Sequence, residues 1–212
     1  MNDLVTQLRE DRSGYRVTVN DRETFHLSHA DYRAFPLQEG ETLDLAEYQK
    51  NLLYRQYPEA LNRAVALLAT RARSHHEVEQ RLTVRGYLPD TVEMVLYKLE
   101  KEHLLDDAEF ASAWTQQRAT HGIGNMRLRQ ELYQKGVDHD TAQVAIDNLD
   151  AEDQQQAAQS LARKLLTRHR KETAPDTARK VIAAMQRRGY SYSEASSALR
   201  DAIAAEQEDE DT

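Results

Sequence analysis

Cysteine is absent from this 212-residue chain, which excludes disulfides and thiol chemistry and makes an intracellular address the natural reading. Proline and glycine are scarce, at four and seven residues, so little interrupts a helix. No apolar run approaches the roughly 18 residues that a membrane helix needs, and no N-terminal signal pattern is present. With a mean hydropathy of −0.80, the chain reads as a cytoplasmic protein without a membrane partner. Glycine-rich phosphate loops, serine elbows and cysteine–histidine pairs are also missing, so neither covalent chemistry nor a cofactor is expected. His26 with His29, and His75 with His76, lack a further ligand at metal-site spacing, and no metal is expected either.

What is present is a repeat. Val78–Leu99 (VEQRLTVRGYLPDTVEMVLYKL), Leu128–Leu149 (LRQELYQKGVDHDTAQVAIDNL) and Val181–Ala202 (VIAAMQRRGYSYSEASSALRDA) align on Gly86, Gly136 and Gly189, spaced 50 and 53 residues apart. Leu82, Leu132 and Met185 fall four residues before the glycine, and Leu96, Ile146 and Leu199 ten after it. A basic residue, Arg85, Lys135 or Arg188, precedes each glycine, where a helix-terminal cation stabilises the dipole. This period predicts a mainly α fold: an elongated array of three tandem three-helix repeats.

Local signals place the helices. Pro58 reads as the start of the first repeat, followed by an apolar stripe of Leu61, Val65 and Leu68. Ser74–Glu77, Asp106–Glu109 and Ser191–Glu194 have the form of capping boxes, and Asp138 has that of an N-cap. Pro89 can open a helix, and Gly122 with Gly124 breaks one. Ahead of the repeats, Leu4–Leu8, Tyr15–Val19 and Glu23–Leu27 read as three strands of a small antiparallel sheet, packed on a helix over Asp44–Tyr54. The boundaries predicted are 1–57 for this extension, 58–105, 106–152 and 153–205 for the repeats, and 206–212 for an acidic tail.

The net charge of −8 argues against a polyanionic partner until its distribution is considered. Between Ser160 and Tyr190 stand nine basic residues against two acidic ones, while Glu206–Thr212 carries five acids and no base. Fields are screened beyond about 8 Å at physiological salt, so a polyanion responds to the local excess. The tail reads as a solvated, disordered terminus.

The stretch Leu104–Leu132, LLDDAEFASAWTQQRATHGIGNMRLRQEL, resembles the central signature of the RecX regulatory proteins. There, a Leu-Asp-Asp turn leads to Phe, Ala and an aromatic, then to Arg, a glycine-containing loop and Arg-x-Arg-x-Glu-Leu. ALLATRARSHHEVEQRLTVRGY resembles the family's first unit, RRGYSYSEASSALR its third, and the strands followed by GETLDLAEYQ the extension of its longer members. The resemblance implies a regulator, not an enzyme; a monomer is expected. It implies binding to the RecA recombinase and along the groove of its single-stranded-DNA filament, with at most weak direct DNA contact. Filament extension, ATP hydrolysis, strand exchange and co-protease activity would be inhibited, with effects on recombination, DNA repair and the SOS response.

A groove ligand needs cations held in register. Arg127 and Arg129 rank first, since they follow a glycine loop at a helix N-terminus where free amides favour anions, and Arg118 could converge with them. The structural alternative pairs Arg127 with Glu131. Arg71, Arg73 and Arg81 form a second group, and Arg163, Lys164, Arg168, Lys171, Arg179, Lys180 and Arg187 the densest. Phe110 and Trp114 are expected to build core rather than stack on bases, and Asp106 to cap a helix. A stand-alone helix-turn-helix DNA-binding protein is the alternative, opposed by the overall negative charge.

Overall fold

The computed structural model describes residues 3–169 and 173–210 and resolves two compact units, Met1–Asp106 and Asp107–Thr212. In the first, β1 (Asp3–Asp11), β2 (Gly14–Val19) and β3 (Glu23–Ser28) form the expected antiparallel meander. A short helix α1 (His29–Ala34) and a two-residue strand β4 (Thr42–Leu43) follow, and β4 pairs with β1 to give the order β3-β2-β1-β4. The sheet thus has four strands rather than three, because two residues are too few to show alternation. Val5, Val17, Val19 and Leu27 turn inward against Leu37, Leu45, Leu52 and Leu88.

The expected start of a helix at Pro58 is wrong. One helix, α2 (Leu45–Leu68), runs straight through it, capped at its start by Asp44, whose carboxylate accepts from the Glu47 amide at 3.0 Å. A proline inside a helix costs about 3 kcal/mol. Burial of Leu52, Gln56, Ala60 and Ala64 along one face outweighs that cost. The inward stripe is therefore Gln56–Ala60–Ala64, with Leu61 and Leu68 half-buried beside it and Val65 exposed. α3 (His75–Thr83) and α4 (Pro89–Lys101) complete the first repeat.

The second unit holds α5 (Asp107–Thr120), α6 (Asn125–Gln134) and α7 (His139–Asp147), then α8 (Ala151–His169), α9 (Ala174–Arg187) and α10 (Tyr192–Glu210). The repeat alignment is a burial alignment. Val78, Leu128 and Val181, and Leu82, Leu132 and Met185, are all at 0% exposure, and Leu96, Ile146 and Leu199 are buried. Each repeat glycine has positive φ (86°, 75° and 93°) and donates its amide to the carbonyl three residues back at 2.9 Å. That left-handed cap is open to glycine at little steric cost. The basic residues before the glycines lie just past the helices' last turns rather than within them.

Ser74 and Asp138 cap α3 and α7 through side-chain oxygens, and Ser191 with Glu194 makes a full reciprocal box at 3.1 and 2.6 Å. α5 begins at Asp107, directly after Asp106. The acidic tail is not a disordered segment through Glu210: it continues α10 that far.

Candidate functional site

The glycine loop before α6 is where repeats two and three meet. Its amides are not free, contrary to the sequence expectation. The Gly124 amide donates to the Arg188 carbonyl at 2.9 Å and the Met126 amide to the Gly189 carbonyl at 3.1 Å. Two glycines make this possible: a Cβ at Gly124 would stand 2.5 Å from the Gly189 carbonyl carbon, and one at Gly189 would strike the Arg127 backbone. The α6 N-terminus is thus occupied by the end of α9 and offers no anion pocket of its own.

Arg118 and Arg127 do converge, on Glu131. Arg118 donates from Nη2 and Nε at 2.6 and 2.8 Å, Arg127 from Nε at 3.2 Å, and the Trp114 indole from Nε1 at 3.2 Å. These donors hold the Glu131 carboxyl below its ordinary value of 4.5, the Arg118 bonds contributing most. A depressed carboxyl contributes stability above its unfolded pKa and loses it as pH falls through the folded one. Glu131→Gln should therefore flatten the acid limb of a thermal-stability profile below about pH 5, and lower the neutral and alkaline part by a constant amount without changing its shape. An unaltered acid limb would show the carboxylate to be energetically idle.

Arg127 also reaches the Arg187 carbonyl at 3.4 Å, so it spans the two repeats. Arg129 is exposed on another side of α6 and donates to Gln143 at 2.9 Å. Phe110 is buried, and Trp114 stacks beside it with centroids 6.0 Å apart and Lys135 Nζ 4.0 Å from the indole centroid. Both serve packing, as expected. Tyr133 is 81% exposed on α6.

In the first unit, Arg71 grips Glu77 with two bonds of 2.8 and 3.1 Å, and Arg73 donates to the Leu67 carbonyl at the end of α2 at 3.1 Å. Both brace the turn between α2 and α3, while Arg81 is exposed on α3. On the third repeat, Arg163, Lys164 and Arg168 of α8 and Arg179, Lys180 and Arg187 of α9 are all exposed, with Arg179 paired to Asp176. Lys171 lies outside the described residues.

Sequence reasoning undervalued Arg188, whose guanidinium leans on the His121 carbonyl at 3.4 Å and faces α8. It also missed a buried polar relay in the first unit. Asp31 accepts from Ser28, Arg55 and Gln56 at 2.8, 3.1 and 3.0 Å, and the Gln56 carbonyl oxygen accepts from the Leu88 amide and the Thr91 hydroxyl at 2.9 and 3.1 Å. Among the described residues, no group of three or more His, Cys, Asp or Glu side chains could hold a metal ion.

Models of the first, second and third three-helix domains of RecX match residues 60–99, 106–146 and 152–199, more than half of the chain and in order. The chain belongs to the RecX family. Regulatory protein RecX of Mycolicibacterium smegmatis is 36% identical over 155 residues, covering 71% of this chain and 82% of that protein. Regulatory protein RecX of Bacillus subtilis is 29% identical over 209 residues, 98% of this chain and 78% of that one. A crystal structure of a regulatory protein RecX shares the fold with a TM-score of 0.65 at 22% identity, over 94% of this chain and 99% of its own. RecX from Lactobacillus salivarius gives 0.66 over 71% of this chain. No helix among the described residues is long and apolar enough to cross a membrane.

Proposed function

We propose that this RecX-family chain regulates RecA by binding the recombinase and its single-stranded-DNA filament. It acts in the cytoplasm as a monomer and without catalysing a reaction. It occupies the filament groove and obstructs protomer addition, so that filament extension, ATP hydrolysis, strand exchange and co-protease activity all fall. The observation carrying this reading is the ordered match of all three repeats to the three RecX domains. Exposed cations on every repeat (Arg81, Arg129, and Lys164 with its neighbours) support it, since a filament offers phosphates and acidic protein faces.

The test is single-stranded-DNA-dependent ATP hydrolysis by RecA, with this protein titrated below one copy per protomer. Inhibition at substoichiometric ratios is the expected result. No inhibition, together with tight binding to naked duplex DNA, would replace this reading with the helix-turn-helix alternative. Arg129→Glu should weaken inhibition with helicity retained. Arg127 is the poorer probe, because its reversal also disturbs the Glu131 cluster.

A further inference from the structure

A groove of about 410 Å³ lies between the loop that ends α5 and the outer face of α8. Leu161 forms its floor, Gly122 and Ser160 line it, and Lys164, Arg168 and Arg188 supply three cations. Gly122 has no side chain to close the groove: a Cβ there would lie 3.4 Å from Leu161 and 3.7 Å from the Arg188 guanidinium. No carboxylate lines the groove among the described residues, on a chain whose net charge is −8.

Lys164 and Arg168 stand four residues apart on α8 and repel one another. Each turn places such side chains about 6 Å apart along the axis, in step with consecutive phosphates of an extended strand. Arg188 comes from just past the end of α9 and is held over the groove by its bond to the His121 carbonyl at 3.4 Å. Like charges gathered from two elements, with no compensating acid among the described residues that line the groove, leave the anion to be supplied from outside.

We infer that this groove binds the phosphodiester backbone of a single nucleic-acid strand. The groove is too small for a duplex, and among its lining residues His121 alone carries a ring, too little to stack a run of bases, so the contact is to phosphates and is blind to sequence. The inference deepens the filament reading and rests on it for the source of the strand.

The experiment measures binding of a labelled thymidine oligonucleotide by the whole protein, without RecA, over a series of salt concentrations. Lys164→Glu with Arg168→Glu should lower low-salt affinity about tenfold and reduce the slope of log K against log salt by about 1.4, or about 0.7 per lost contact. Arg9→Glu with Arg16→Glu, an exposed pair facing each other across β1 and β2, changes net charge equally and should leave both quantities near wild type. Equal losses in both double variants would overturn the site, reducing it to a general field effect, as would no loss in either. Stronger binding to poly-glutamate than to the oligonucleotide would also overturn it, in favour of an acidic protein segment. RecA inhibition, scored separately on the same proteins, reports on the filament reading alone.

Discussion

Gly189→Ala should destabilise the second unit by about 3–5 kcal/mol, where Gly40→Ala in the first should cost only about 1–2 kcal/mol. Both glycines have left-handed backbones, at φ 93° and 87°, and any L side chain there carries a conformational penalty of roughly 1–2 kcal/mol. They differ in what a methyl would meet. At Gly40 nothing lies within 4 Å, whereas at Gly189 the methyl meets the backbone of Arg127. Relief of that clash requires α9 and α6 to separate, which breaks the bonds from Gly124 and Met126 at 2.9 and 3.1 Å. Unpaired amides cost about 1–3 kcal/mol each. Urea melts followed by circular dichroism would measure both variants. Equal losses would mean that the contact between α6 and α9 adds nothing to stability.

Gln56→Ala is expected to cost about 3–5 kcal/mol, more than its modest size suggests. The residue is 2% exposed, and its amide group serves three partners: Asp31, the Leu88 amide and the Thr91 hydroxyl. Truncation leaves each of these short of a partner in a place water does not reach, and adds a cavity. Thr91→Val removes a single arm and should cost about 1 kcal/mol. The same denaturation series checks both, and a Gln56→Ala loss no larger than that of Thr91→Val would refute a shared hub.

The two predictions differ in how far their residues could be read from the sequence. Gly189 stands in a column with Gly86 and Gly136, and the columns at Leu82, Leu132 and Met185 repeat because each helix must bury the same face. Caps at Ser74, Asp138 and Ser191 are equally legible, since their partners lie within three residues. Gln56 carries no such mark. Its partners are 25 to 35 residues away, and a lone glutamine on a helix reads as surface. For the same reason the α6 amides looked free: their acceptors, Arg188 and Gly189, come from the next repeat. Proline at 58 misled because its local preference was overruled by burial on both sides of it. Among the candidate cations, residue type and exposure were legible. That Arg118 and Arg127 would share Glu131, and that Arg188 would face α8, depended on folding.

The course of α2 through Pro58 has a consequence for how such a chain can be cut and inherited. The family's first three-helix domain begins at residue 60, inside that helix, whereas the first compact unit reaches from the start of the chain to Asp106. The segment that recurs is therefore smaller than the compact unit that contains it. A fragment trimmed to its repeats would begin within a helix, without Gln56 and with Leu88 stripped of the strands it packs on. The amino-terminal sheet thus behaves as a foundation rather than an appendage, and the lineage could shed it only by rebuilding the face of the repeat beneath.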